Sequence, residues 1–234
     1  MERKKHRTHD AKATRKRILQ NCIPLFLEKG YDYTTPKEIV QASDVSNSSF
    51  YYAFKSKSGV LAELCEVMFE TQFKFATDLV GQKASGAVLY AAETSVQLAL
   101  AEHNDNLRQI YVKVYTDPAL LELVRRKTAE MLPKLFASYM PDADERLFYE
   151  LEIATSSIMR GYMALPCDEN LTLERKIELF VRMALGIYKV AEDEIKKAID
   201  AVLSKDINKF AEKAMNEAFT HLEVTFDFKL SKNK

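Results

Sequence analysis

Along the first quarter of the chain, apolar positions recur at helical spacing in short stretches separated by clear stops. Ile18, Cys22, Leu25 and Phe26 share one face of a helix that begins near Lys12 and should stop at Gly30, a residue suited to the position just past a helix end. Pro24 lies inside it and predicts a kink, because proline leaves the carbonyl of residue 20 without its donor. In "TTPKEI", Thr35 can cap, Pro36 takes the first helical position and Glu38 stands three residues after the cap, the arrangement of a capping box. This predicts a short second helix with Ile39 and Ala42 inward, ended by a tight turn at Ser43, Asp44 and Val45. A third helix starts at Ser46, with Phe50 and Phe54 on one face and the pairs Asn47/Tyr51 and Ser48/Tyr52 on the other. Ser56 can cap a fourth, whose pattern runs through Val60, Leu64, Val67 and Met68 to about Val80.

From Gly86 onward the pattern predicts helices at 86–103, 105–116, 118–139, 143–165, 172–203 and 206–222, with breaks at "HNDN", "TDP", "MPDAD" and "PCDEN" and a further break at Gly186 as an option. Val224, Phe226, Phe228 and Leu230 alternate with polar residues. The tail 224–234 therefore reads either as a strand or as an irregular terminus packed in a groove. The expectation is an all-α chain in two parts: 1–59, a three-helix module with a basic N-terminal arm, and 60–234, a larger helical domain.

Composition narrows the classes. The 234 residues are 47% hydrophobic and 29% charged, with six Gly, six Pro and no Trp, which disfavours disordered and strand-rich architectures. Cys22, Cys65 and Cys167 are widely spaced and form no CxxC pair, so neither a disulfide framework nor a zinc ribbon is indicated and a cytoplasmic protein is expected. No stretch of about 18 uncharged apolar residues is present, so no membrane span is expected. The net charge is zero but unevenly placed. Residues 1–60 hold 12 Lys and Arg against 6 Asp and Glu, the remainder 22 against 28, so the basic end suits a polyanion.

Two short helices joined by a tight turn, the second exposing polar groups, form a helix-turn-helix reader when supported by a preceding helix and a basic arm. The order "TRKRILQNCIPLFLEKGYDYTTPKEIVQASDVSNSSFYYAFKSKSGVL" over residues 14–61 resembles the DNA-binding domain of the tetracycline-repressor (TetR) family of transcriptional regulators. The landmarks are "IL" at 18–19, "LF" and "KGY" within 25–31, "TT" and Ile39, "VS" at 45–46, "FYYAF" at 50–54 and "KSK" at 55–57. Three positions depart from the family pattern. Asp44 stands where Gly is common and tolerates left-handed geometry, Ala53 stands where a His often contacts phosphate, and Pro24 interrupts the first helix.

Chemistry and resemblance together select the candidate DNA contacts. Asn47 can pair bidentately with adenine, and Ser48 and Ser49 can bond base edges or phosphates. Tyr51 and Tyr52 carry rings for thymine methyls and hydroxyls for phosphate, with Tyr51 expected to be the exposed one and its neighbour to pack inward. The resemblance places Thr35 and Lys57 on the phosphate backbone, with Lys37 a weaker candidate. The arm from Arg3 to Arg17 could enter a minor groove or add charge alone.

The resemblance further implies a palindromic double-stranded DNA operator, a homodimer, a small-molecule effector of largely apolar character and, most often, repression. Ala154, Ser157, Gly161 and Ala164 form a small-residue stripe that, with Ile177, Phe180, Ala184, Tyr188 and Ala191, could build half of an intersubunit four-helix bundle or pack within one subunit. Tyr111, Tyr115, Met131, Phe136, Met159, Tyr162 and Met163 are candidate walls of an effector pocket, or ordinary core. His6, His9, His103 and His221 lack metal-ligand spacing, and no HExxH, GxSxG or phosphate-loop pattern occurs. No cofactor, metal or enzymatic activity is expected. The rival class is a helical small-molecule or protein-binding module whose N-terminal motif no longer binds DNA.

Overall fold

A computed structural model describes residues 2–230, with side chains described from Ala11 onward except those of Val67, Glu70, Thr71 and Gln72. The described chain is helical throughout: α1 (Glu2–Pro24), a π-helical turn (Leu25–Lys29), α2 (Pro36–Ala42), α3 (Asn47–Phe54), α4 (Lys57–Val80), α5 (Gly86–His103), α6 (Asp105–Val114), α7 (Pro118–Phe136), α8 (Glu145–Ala164), α9 (Leu173–Ile187), α10 (Glu192–Leu203) and α11 (Ile207–Phe226). It divides into two compact units, one comprising residues up to Met68 together with those from Glu217, the other Phe69–Asn216.

The first unit is closed around Ile18, Cys22, Ile23, Phe26, Ile39, Phe50, Phe54, Leu61 and Leu64, all buried. The expected kink at Pro24 takes a definite form. Without a donor for the Gln20 carbonyl the α-helical ladder stops, and the next five residues form a wider π-helical turn that turns Phe26 and Leu27 inward. Gly30 ends it at φ 99°, a conformation that disfavours a side chain, and the Phe26 and Tyr31 rings meet with centroids 4.8 Å apart. Asp44 adopts φ 48° in the turn between α2 and α3, the left-handed geometry its short side chain tolerates.

Gly59 lies so close to the end of α3 that a methyl there would overlap the Phe54 backbone carbonyl. A peptide group cannot swing aside, so Gly59→Ala should cost the first unit about 1–3 kcal/mol. The expected readout is a lowered urea midpoint with most helical circular dichroism retained in the absence of urea. An unchanged midpoint would show that α3 and α4 can separate freely.

In the second unit α5 packs against α6, α7, α8, α9 and α10 and is buried on every side over most of its length. Its sequence explains this, since alanines and leucines surround the helix and leave no polar stripe for solvent. Gly86 permits its first turn to rest against the Leu135 carbonyl at the end of α7.

Two expectations need correction. The segment 172–203 is two helices, parted not at Gly186 but just after it, where Lys189 takes φ 57°. The tail is not a strand, because α11 runs on to Phe226. Leu222 and Phe226, four apart, are buried while Val224 is 77% exposed, which is helical and not alternating spacing. Residues 231–234 of that tail, and the arm's side chains from Arg3 to Asp10, lie outside the described residues. Of the two readings of Ile177, Phe180, Ala184 and Tyr188, the one that matches their burial in the second unit's own core is packing within one subunit. Ala154, Ser157, Gly161 and Ala164 are exposed on α8.

Candidate nucleic-acid interface

The start of α3 is built by one serine. Ser46 caps the helix through an oxygen that accepts from the Ser49 amide at 3.1 Å, and the hydroxyls of Ser48 and Ser49 lie 2.9 and 2.8 Å from it. Asn47, next to the cap, is exposed and has no side-chain partner among the described residues. The buried pair Phe50 and Phe54 fixes the rotation of the helix, leaving the opposite face outward. Both tyrosines are on the outside, which corrects the expectation that one packs inward. Tyr52 is 84% exposed, whereas Tyr51 is 51% exposed and leans edge-on against Phe50 at 5.3 Å. Tyr33, which the sequence reading passed over, is a third exposed aromatic ring of this unit.

The start of α2 is a complete capping box. The Thr35 hydroxyl donates to Glu38 Oε2 at 2.8 Å and accepts from the Glu38 amide at 3.2 Å, and the Thr35 amide donates to the same carboxylate. Lys29 also bonds Glu38. That bond first, then those from Thr35, hold the carboxyl at about 2, so it is ionised at any physiological pH. Thr35 thus spends its hydroxyl locally, whereas Lys37 is exposed beside it.

Two cations read from sequence as part of a basic surface are turned inward. Lys57 donates to the carbonyls of Tyr31 and Thr34 at 2.7 and 2.9 Å with its nitrogen 4.0 Å from the Tyr31 ring centre, stapling the loop before α2 to the start of α4. Arg15 donates to the Ala53 carbonyl at 2.7 Å, pairs with Glu63 and lies over the Phe54 ring, so it caps the C-terminal end of α3. Gln20 donates to the Asp227 carbonyl at 3.0 Å, where Asp227 ends α11 at φ 59°, and Lys16 pairs with the same residue.

Of the candidate effector residues, Tyr111, Tyr115, Phe136, Met159 and Met163 are buried, and Met131 and Tyr162 are half-buried. Phe136 stacks on Tyr188 with centroids 4.3 Å apart and meets Tyr90 edge-on at 5.3 Å. Tyr115 donates to Gln97 Oε1 at 3.3 Å, and Gln97 in turn bonds Glu93. Next to these rings is Glu152, only 4% exposed, whose Oε2 accepts from Thr155 Oγ1 at 2.7 Å and from Tyr188 at 3.4 Å. Burial pushes its carboxyl up to about 7, against the pull of those two hydroxyls and of the Arg125 charge. The sequence reading missed Glu93, Gln97 and Glu152. Their signal was there for α5, since "AAETSVQLALA" places polar groups in a stretch with no polar face.

Burial pushes the Cys65 thiol up to about 12 and that of Cys22 up as well, so neither presents a thiolate. Among the described residues no three His, Cys, Asp or Glu side chains gather as a metal site, and no helix is long and apolar enough to cross a membrane.

Residues 18–64 match the family model for bacterial regulatory proteins of the tetR family. The chain is 23% identical over 156 residues to a probable HTH-type transcriptional regulator, YttP, of Bacillus subtilis, a match spanning 66% of this chain and 70% of that one. Over 54 residues it is 37% identical to IcaR of Staphylococcus aureus, the HTH-type negative transcriptional regulator of the biofilm operon icaADBC, which covers 23% of this chain and 29% of that one. Among solved structures it is similar to full-length TylP, a TetR regulator from Streptomyces fradiae, at 18% identity, with 89% of this chain and 98% of that one covered and a TM-score of 0.49. A gamma-butyrolactone receptor, an ArpA-like protein, also gives 18% identity, with 89% and 99% covered and a TM-score of 0.43.

Proposed function

We propose, from the premise that this chain is a TetR-family transcriptional regulator with a helix-turn-helix DNA-binding domain, that it is a cytoplasmic repressor which binds a palindromic operator as a homodimer and is released by a small-molecule effector. The observation that carries the reading is the outward face of α3, where Asn47, Ser48, Tyr51 and Tyr52 stand clear of the unit's core at the start of a helix short enough for a major groove. Asn47 and the two tyrosines act as base readers. Ser48, Ser49 and Lys37 hold phosphate, Thr35 sets the start of α2 beside them with its donors on Glu38, and Tyr33 adds a ring at the rim. Lys57 contributes charge from behind, its ammonium being shared with two carbonyls.

One such helix reads only a few base pairs, so a second copy is needed for operator length. The exposed stripe Ala154, Ser157, Gly161 and Ala164 supports α8 as that contact. Ile153, Leu165 and Met183 are exposed large apolar residues of the same two helices, α8 and α9, and of the loop joining them. On α9 the face offered to a partner is the one around Met183 and Gly186. The domains divide as 1–59 for reading and 60–234 for effector binding and dimerisation, with repression in keeping with the negative regulator among the relatives.

Selection of bound duplexes from a random pool tests this. The expected product is a palindrome with half-sites about one helical turn apart. Asn47→Ala or Tyr52→Ala should lower affinity for it by about 10- to 100-fold and relax the sequence at the contacted base. Recovery of no common sequence would overturn the reading.

A further inference from the structure

The core of the second unit holds a group of polar side chains that DNA reading does not use. Glu152 on α8 has hydroxyl partners, Thr155 and Tyr188, and Arg125 on α7 is the cation whose charge acts on it. Arg125 Nε, however, donates to Ser156 Oγ at 3.2 Å and not to the carboxylate. Glu93 on α5 is equally buried and is bonded to Gln97. Glu93 stands one turn along α5 from Tyr90, whose hydroxyl is held well above its ordinary value first by burial and then by Tyr188, Glu152 and Glu93. Next to Glu152 stand the rings of Tyr90, Phe136 and Tyr188, with Tyr90 and Tyr188 edge-on at 5.5 Å and Tyr90 6.5 Å from Phe180.

Carboxylates do not sit in aromatic surroundings for stability. A buried charge needs a counter-charge, and ring faces carry negative potential, which suits a cation and repels an anion. A neutral apolar guest would leave Glu152 to be buried protonated, and an anionic one would meet two acids. A protonated amine or quaternary ammonium satisfies both the carboxylate and the rings.

We infer that the effector carries a positive charge, held among Tyr90, Phe136 and Tyr188 with Glu152 as its counter-ion and Glu93 close by. The inference rests on reading the second unit as the effector-binding part of the regulator. Entry of the guest has to part α5, α7 and α9, whose rings now touch, so the ligand selects an opened arrangement of these helices.

Calorimetry on the full chain with tetraphenylphosphonium and with tetraphenylborate, matched in size and opposite in charge, tests the inference. The phosphonium should bind and the borate should not. Glu152→Gln, which keeps the shape and hydrogen bonds of the site, should weaken the phosphonium by about 30-fold or more. Phosphonium affinity should also fall below about pH 7, where a proton competes for Glu152, which is buried, faces the Thr155 and Tyr188 hydroxyls and the Arg125 charge from α7, and in turn acts on Tyr90 from α5. Binding of the borate alone, an affinity indifferent to Glu152→Gln, or binding of neither ion would overturn it. The two levels separate cleanly in the same samples. Borate that binds and shifts operator affinity leaves a ligand-responsive regulator standing without a cationic effector. Phosphonium that binds through Glu152 but leaves operator affinity unchanged keeps the site and removes the response.

Discussion

Glu152→Gln should stabilise the protein at pH 8 by up to about 3 kcal/mol and flatten its stability between about pH 4.5 and 7. The sign follows from which state holds the proton. In the folded chain burial keeps the carboxyl protonated up to about pH 7, whereas in the unfolded chain it ionises near its ordinary value of 4.5. Between those values the native state binds more protons, so stability is fully present at the acid end and is lost as pH rises through the window, levelling off above it. Glutamine imitates the protonated carboxyl, accepting from Thr155 and Tyr188 without a charge to bury, and so stays at the acid-side level throughout. Urea midpoints of both proteins at pH 5, 6, 7 and 8 would check this. A wild-type midpoint that rises across the window would show that Arg125 and the two hydroxyls outweigh desolvation. A residue that costs stability at neutral pH is the kind retained for binding, which is why this measurement bears on the effector as well as on the fold.

The helical class and the reading head were legible because their signals are local. A capping box at Thr35 and Glu38, a serine cap at Ser46, an i, i+4 phenylalanine pair and an Asp that accepts positive φ each declare themselves within four residues. What was not legible is decided by distant parts of the chain. Periodicity shows that Phe180, Ala184 and Tyr188 share a face of α9, yet it cannot say that α5 and α7 cover it, with the Tyr90 and Phe136 rings against Tyr188. The resemblance puts Lys57 on the phosphate backbone and charge puts Arg15 in the basic arm, but a long side chain can turn inward to carbonyls that only the folded chain brings near. Val224, Phe226, Phe228 and Leu230 fit a strand, and only the burial of Leu222 and Phe226 with Val224 left exposed settles the period up to Phe226 as helical.

Lys176→Met should destabilise the second unit by about 3–5 kcal/mol, because it breaks a buried ion pair and leaves one partner behind. Lys176 is 0% exposed. Its ammonium donates to Glu102 Oε1 at 2.5 Å and to the Leu165 carbonyl, while Glu102 Oε2 accepts from the Cys167 amide at 2.9 Å and from Arg108 at 3.3 Å. One lysine on α9 and one carboxylate near the end of α5 thereby fasten the connection between α8 and α9. Methionine fills the volume, so the cost is electrostatic and not a cavity: Glu102 loses its buried ammonium and keeps Arg108 and the Cys167 amide, and the Leu165 carbonyl loses its donor. Burial raises the Glu102 carboxyl, but the bonds from Lys176 and Cys167 and the charges of Lys176 and Arg108 together hold it below the ordinary range. Its contribution is therefore present above the unfolded value and is lost as pH falls through the folded one, so the penalty of Lys176→Met should be smaller at pH 4 than at pH 7. Adding Glu102→Gln should recover part of the loss, and a double variant no better than the single would show that the Leu165 carbonyl is what the lysine serves. Since this connection orients the two helices proposed to meet a second copy, the proposed dimer predicts that the single variant also raises the monomer fraction in sedimentation relative to the wild type at the same concentration.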